Sequence, residues 1–307
     1  MTKKLFLLLT CYMLTLASMA QHLYVGSYNI RYQNDNDAQK GNSWTQRCPV
    51  ICAQVNFEHP DIFGAQEVLV GQLHDMLQQL DGYDYIGVGR EDGKEAGEFA
   101  PIFYDKRHIR LLDQGHFWLS ETPDKPGLGW DAACTRICTW GLFKDSNTRL
   151  KFYFFNLHMD HVGRVARREA AKLVVSRIKE MTQGKKYPVV LTGDFNVDQN
   201  DEIYTIFTQS GVLKDSYEHT RIRFAENGTF NSYDPSLKTS SRIDHVFVSP
   251  QLQVDRYGVL TNSYWTPDTS VTSTQKGEHA PQEIDFMKYE KRLPSDHYPV
   301  FVRLVMP

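Results

Sequence analysis

Six apolar runs in this 307-residue chain end in, or open from, residues able to hold a metal ion or move a proton. Asn29 closes HLYVGSYNI, Glu67 closes DIFGAQE, His158 and Asp160 close KFYFFNLHMD, and Asp194 with Asn196 follows PVVLTGDFN. Asp244 and His245 sit in SRIDHVFVS, and Asp296 with His297 introduces the last run, HYPVFVRLV. Each alone has an ordinary explanation: Gly-Asp-Phe-Asn is acceptable turn chemistry, and a strand-end Glu is usually a solvated carboxylate. Six together point to one site, because open sheets with parallel strands place their sites beyond one edge. The inventory offers hard oxygen ligands without a thiolate or tight His cluster, which suits Mg²⁺ or Mn²⁺ better than zinc. Two imidazoles well separated in sequence are available for proton transfer near neutral pH. The chain has no Gly-x-Ser-x-Gly elbow, phosphate-binding loop, dinucleotide fingerprint or His-Glu-x-x-His helix. Metal, imidazole and carboxylate without a protein nucleophile describe metal-assisted hydrolysis by an activated water.

The elements that must position these residues alternate short strands with a few helices. Residues 22–30 and 61–67 read as buried strands with a helix from about Arg47 to Phe57 between them. Leu73, Met76, Leu77 and Leu80 recur at helical spacing over 69–80. Strands are expected near 99–104, 109–118, 135–143 and 150–157. The longest helix follows over 163–182, with Val165, Leu173, Val174 and Ile178 inward and Arg164, Arg167, Arg168 and Lys172 on a solvated face. After the Gly-Asp-Phe-Asn strand come a short helix near 202–210, strands near 212–217 and 243–249, and the closing strand. Residues 263–294 carry little apolar periodicity and are long for a connection; because they lead directly into Ser295-Asp296-His297, they read as a rim of the site.

Composition is that of a soluble globular protein, with 41% hydrophobic residues and no internal repeat. Residues 1–20 stand apart: Lys3 and Lys4, an apolar run from Leu5 to Leu16, then Ser18-Met19-Ala20, which is the order of a secretory signal peptide. The run is too short for a membrane span. A mature chain over residues 21–307, forming one catalytic domain, is therefore expected in the periplasm or outside the cell, an acylated Cys11 being the less favoured reading. Loss of the leader takes two lysines and no acid, and moves the formal net charge from −3 to −5. That balance disfavours a long nucleic-acid duplex as partner. Cys134 and Cys138 fall in an expected strand, where four steps separate their Cα atoms by ~13 Å, beyond disulfide reach. The four mature cysteines read as buried thiols, or as one cross-link between the pairs Cys48/Cys52 and Cys134/Cys138.

The ordered blocks SYNIRY, GAQEV, GEFAPIFYD, NLHMDH, LTGDFN, SRIDHVFVS and SDHYPV resemble the endonuclease/exonuclease/phosphatase (DNase I-like) superfamily, in a secreted bacterial branch, over nearly the whole mature chain. The resemblance implies an α/β class fold: a four-layered α/β sandwich of two packed mixed β-sheets flanked by helices. It implies Glu67 as principal metal carboxylate, with Asn29 and Asp296 on the metal or the phosphate. It implies His297 as the imidazole that activates or stabilises the attacking water, oriented by Asp244, with Asp194 positioning that water and Asn196 donating to a phosphate oxygen. His158, partnered by Glu98, would stabilise the pentacovalent phosphorus or protonate the leaving oxygen. Arg90 would touch phosphate or bridge loops, Asp160 and His245 would be supporting, and Arg31 stands where some nucleases of the superfamily carry an acid.

The expected activity is thus an Mg²⁺-dependent phosphoric ester hydrolase, with Mn²⁺ as the alternative ion. A small or medium phosphate ester is preferred, ahead of nucleic acid or a sphingomyelin-like headgroup presented by membrane lipid. A non-catalytic binding module on the same fold is the reading of another class; it is disfavoured because every position expected to carry chemistry holds a competent side chain.

Overall fold

Alternation along single strands sets the layering. On β7 (Lys151–His158), Phe152 and Phe154 face one apolar cluster while Tyr153, Phe155 and Leu157 face another. On β8 (Val189–Asp194) Val190 joins the first cluster and Val189 and Leu191 the second. A strand buried on both faces reads in sequence as an unbroken apolar run, which is why these were conspicuous. The computed structural model describes residues 22–268, 270 and 273–305, so the leader-like segment lies outside the described residues.

The first sheet contains β1 (His22–Asn29), β2 (Ile62–Gln66), β3 (Tyr83–Ile86), β4 (Ile102–Asp105), β10 (Thr220–Phe224), β12 (Gln253–Val259) and β15 (Val300–Val305), in the order β10-β12-β15-β1-β2-β4-β3. The second joins β7 and β8 to β5 (Ile109–Trp118), β6 (Ile137–Asp145), β9 (Lys214–Asp215) and β11 (Asp244–Val248), in the order β5-β6-β7-β8-β11-β9. Both are mixed: β1 runs parallel to β2 and β7 parallel to β8, while β15 is antiparallel to β1 and β11 to β8. Helices α2 (Trp44–Glu58) and α3 (Val70–Gln79) cover the outer face of the first sheet, burying Ile51, Val55, Leu73 and Met76 against Phe63 and Ala65. Helices α4 (Arg164–Thr182) and α5 (Glu202–Thr208) cover the second, with Ala170, Ala171, Val174 and Ile178 against the sheet. A short α1 (Asp35–Gln39) follows β1. The result is the expected four-layered α/β sandwich.

Between the sheets the contact is not wholly apolar. Asn156 on β7, fully buried, donates to the backbone oxygens of Ala65 (2.7 Å) and Pro101 (2.9 Å) in the opposite sheet. Its Oδ1 accepts from Gln66 Nε2 (2.7 Å) and Thr192 Oγ1 (3.1 Å). Gly64 makes room for it, since a Cβ there would sit 2.2 Å from Asn156 Oδ1.

Several expectations are corrected. Val165 is exposed rather than inward, because Asp131 accepts from the N–H groups of Val165 and Ala166 and fixes the helix start facing outward. The strand expected over 212–217 shrinks to Lys214–Asp215, and β3, β10 and β12 were not anticipated. Cys134 precedes β6 instead of lying in a strand, and all four cysteines of the described residues are free. No bond links the two pairs; Cys48 and Cys52 stand one helical turn apart with Sγ atoms 3.9 Å from each other. Within the expected rim, Tyr264–Pro267 (β13) pairs with Tyr289–Arg292 (β14) as an antiparallel ribbon.

Candidate active site

Parallel pairing carries the C-terminal ends of β1 and β2 to one edge of the first sheet, and those of β7 and β8 to the same edge of the second. Antiparallel partners bring the starts of β11 and β15 to meet them. Register then fixes neighbours: His158 pairs with Asp194 and Asp194 with Asp244. Asn29, Glu67, Asp296 and His297 arrive from the first sheet; His158, Asp194, Asn196 and Asp244 arrive from the second. The backbone bends sharply at three of these turns, with Arg31 (φ 59°), Glu67 (φ 62°) and Asn196 (φ 50°) in the left-handed region. Such strain in non-glycine residues is common at functional sites.

His297 lies at the centre. Its Nδ1 is 2.8 Å from Asp244 Oδ2, and its Nε2 is 3.7 Å from Asp194 Oδ2. Burial opposes protonation, but the carboxylates of Asp244 and Asp194 and the bond to Asp244 outweigh it and hold the imidazole well above its usual range. Asp194 is pushed up to about 7 by burial and by the charge of Asp244, against the pull of His297. His297 therefore enters as imidazolium, bonded to Asp244 on one side and facing the Asp194 carboxyl across 3.7 Å on the other. His158 is the opposite case: burial, with Arg136 and Arg90 nearby, holds it well below its usual range and leaves it neutral.

Asn196 Nδ2 donates to Met159 O (3.0 Å) and lies 3.2 Å from His158 Nε2, which also stands 3.4 Å from Asp194 Oδ2. The Asn196 side chain, to which the resemblance assigns a phosphate contact, is held here between Met159 and His158 at the wall of the site. Glu98 is likewise no hydrogen-bond partner of His158: its Oε2 is 3.9 Å from Nδ1, while its two oxygens form a fork with Arg90 Nη1 and Nη2 at 2.6 and 2.9 Å. Arg90 bridges loops through that fork. Asn29 turns its NH₂ toward Glu67 Oε1 and Asp194 Oδ2, both at 3.0 Å, and accepts from Arg31 N–H through Oδ1. Its amide nitrogen spaces the two carboxylates, and its Oδ1, with one lone pair committed to Arg31, stands at the same sheet edge.

Glu67, Asp194 and His297 each place a ligand atom within 4.8 Å of the others. Asp296 lies beside them, its pKa raised by burial and by Glu67. Glu67, Asp194 and Asp296 bring three buried carboxylates together against two neighbouring cationic groups, Arg31 and His297, and their oxygens fit a hard divalent cation such as Mg²⁺ or Mn²⁺. The second grouping of ligand types, Cys134, Asp160 and His161, does not fit one. Asp160 Oδ1 accepts from Val162 and Gly163 N–H, Oδ2 accepts from Ala133 and Cys134 N–H, and Arg136 Nη2 stands 3.0 Å from His161 Nδ1. Asp160 is a brace between the segments 133–136 and 162–163. His245 contacts Val197 O at 2.8 Å and packs on Phe195 and Tyr204 behind the site.

Glu67, His158, Asp194, Asn196, Asp296 and His297 line a cavity of about 640 Å³ whose walls also include Arg31, Tyr32, Arg136, His161 and Phe230. None of the five was singled out in sequence as carrying chemistry. Arg31 was visible, directly after Asn29-Ile30, but only as a missing acid; Phe230 gave no signal.

The Endonuclease/Exonuclease/phosphatase family model matches residues 26–297. Among solved structures, an endonuclease/exonuclease/phosphatase family protein from Bacteroides thetaiotaomicron is 50% identical, covering 92% of this chain and 98% of its own, with a TM-score of 0.86. A mannosyl-6-phosphatase from Bacteroides thetaiotaomicron is 51% identical over 92% of this chain and all of its own, TM-score 0.85. A third family protein, from Bacteroides vulgatus, is 35% identical over 94% of this chain and 100% of its own, TM-score 0.79. With a match of this extent, on a sandwich whose strand ends converge as described, the chain belongs to the endonuclease/exonuclease/phosphatase family.

Proposed function

We propose that the protein is an exported, divalent-metal-dependent phosphatase that removes the terminal phosphate of a small phosphorylated sugar. The observation that carries this reading is the grouping of Glu67, Asp194, Asp296 and His297 in the wall of a cavity of about 640 Å³, a size suited to a hexose phosphate, with Asp244 bonded to His297 behind it. The similarity to a mannosyl-6-phosphatase supports the substrate class, and the leader-like residues 1–20 support export.

Glu67, with Asp296 and Asp194 beside it, would hold Mg²⁺ or Mn²⁺, which supplies Lewis acidity toward a phosphoryl oxygen and acidifies water. The chain's own groups do the rest. Asp194, reaching the site from the second sheet, orients the attacking water and accepts its proton. His297, kept as imidazolium by Asp244, places a positive N–H at the developing phosphoryl charge. His158, neutral and held by Asn196, lines the cavity with its Nε2 on the side of Asp194, 3.4 Å from Oδ2, where it stabilises charge on the phosphoryl group or the leaving oxygen.

The test is hydrolysis by residues 21–307 of mannose 6-phosphate, glucose 6-phosphate, p-nitrophenyl phosphate, bis-p-nitrophenyl phosphate, plasmid DNA and sphingomyelin, with Mg²⁺, Mn²⁺ or EDTA. Sugar-phosphate turnover that EDTA and His297→Ala both abolish is the expected result. Preference for the DNA, the lipid or the diester, or turnover insensitive to EDTA, would overturn it.

A further inference from the structure

Three arginines line the cavity, and two are already committed. Arg90 spends both Nη atoms on Glu98 and points Nε at Glu91. Arg136 is engaged by His161 through Nη2 and by Asp160 through Nε. Arg31 differs. Its Nε donates to Asp37 Oδ2 at 2.8 Å, but among the described residues neither of its terminal nitrogens makes a hydrogen bond. The nearest carboxylates to Nη1 are Asp296 Oδ2 at 3.6 Å and Glu67 Oε2 at 3.9 Å, too long for one.

The rest of the fold holds that guanidinium in place. Asp37 is itself fixed by Asn34, which donates through Nδ2 at 2.7 Å and accepts from Asp37 N–H. The guanidinium lies 4.7 Å from the centre of the Tyr32 ring. On the backbone, the left-handed Arg31 is pinned by its own N–H on Asn29 Oδ1 and by its carbonyl, which accepts from Gln72 Nε2 and Arg47 Nη2, each at 3.1 Å. Arg47 is fully buried and also binds the carbonyls of Asn42, Ile30 and Pro294, so it ties the Arg31 turn to the segment that delivers Asp296. A positive charge has thus been set rigidly beside the carboxylates expected to hold the metal, with its paired N–H groups unspent.

We propose that Arg31 is a specificity-determining residue that forks onto two non-bridging oxygens of a terminal phosphoryl group and so selects monoesters over diesters. The inference rests on the phosphatase reading above. A monoester carries about −1.5 to −2 charge at neutral pH and three non-bridging oxygens, so two remain for a guanidinium after one meets the catalytic groups. A diester carries one charge less at most and only two such oxygens, and its second ester arm would meet Arg31. Planar bidentate recognition is what arginine supplies and lysine or glutamine does not.

The experiment compares wild type, Arg31→Gln and Arg31→Lys. In Mg²⁺, kcat/KM is measured for mannose 6-phosphate and for bis-p-nitrophenyl phosphate, and the affinity for inorganic phosphate is measured by calorimetry. In Arg31→Gln the monoester rate should fall about 10- to 150-fold, the range for losing a charge-assisted bond, and at least tenfold further than the diester rate. Phosphate affinity should fall with it, and Arg31→Lys should lie between the two. A monoester-to-diester ratio within twofold of wild type, with phosphate affinity unchanged, overturns the assignment. Circular dichroism checks folding, and if Arg31→Gln does not fold, the Arg31→Lys ratio decides on the same criterion. Wild-type enzyme with no monoester turnover sinks the phosphatase reading instead, which separates the two failures.

Discussion

Replacing Asn156 by Ala tests whether one amide fastens the two sheets at the depth where the site is built. The side chain makes four hydrogen bonds, two to backbone oxygens across the sandwich and two from Gln66 and Thr192. At about 1 kcal/mol each, their loss costs roughly 4 kcal/mol. For about 285 residues unfolding with an entropy near 2 cal/mol/K per residue, that shifts Tm by about 7 °C. Gln66 precedes Glu67, Thr192 lies two residues before Asp194, and Asn156 two before His158, so relaxation here also moves catalytic groups. A displacement of ~1 Å costs ~10²-fold in turnover. Asn156→Asp should be worse still, because it turns an acceptor toward the carbonyls of Ala65 and Pro101. Calorimetry on the three proteins gives Tm, and kcat on the preferred ester gives the site. A Tm within 2 °C of wild type for Asn156→Ala would refute the fastening.

Other outcomes are expected from the same geometry. His297→Ala should lower kcat at least ~10²-fold without unfolding the protein, and near-normal turnover by the purified variant would remove it from the chemistry. Glu67→Gln should shift the Mg²⁺ activation curve to higher concentration, and an unmoved curve would take Glu67 off the ligand set. Asp160 is held at about 2, burial opposing and the N–H groups of Gly163, Ala133 and Val162 prevailing. A depressed carboxyl stabilises the fold above its unfolded value and loses that stabilisation as pH falls from about 4 toward 2. Asp160→Asn should therefore have a lower Tm at pH 6 and a flatter fall in acid; parallel Tm curves would show that the brace is not electrostatic.

The site was legible where a strand buried on both faces stops at a polar residue. Glu67 and Asp194 stand out because each ends a buried run, Ile62–Gln66 and Val189–Leu191, and because four other runs end or open in the same way. What sequence could not show was orientation: that the Asn196 amide is held between Met159 and His158, or that Glu98 faces Arg90, depends on rotamers and neighbours far apart in the chain. The strand Thr220–Phe224 escaped notice because it is a largely exposed edge, with Arg221, Ile222, Arg223 and Phe224 all open to solvent. Val165 misled because helical periodicity does not reveal where a capping Asp131 will set the first turn. Arg31 was misjudged because a charge in a turn has no period to read; only the network of Asp37, Tyr32, Gln72 and Arg47 makes it a fixed group.

Because the first sheet supplies Glu67 and Asp296 and the second supplies Asp194 and His158, the catalytic centre is also a gauge of how the two halves sit against each other. A ligand that engages both sides binds only the aligned sandwich, and its binding energy is added to the stability of that alignment. At a concentration 100 times its dissociation constant it would contribute about 2.7 kcal/mol. On the proposed function, substrate and metal would act as a clasp on the architecture that holds them. Heat should abolish turnover and sheet packing at one temperature, and a saturating phosphate product should raise that temperature and slow proteolysis together.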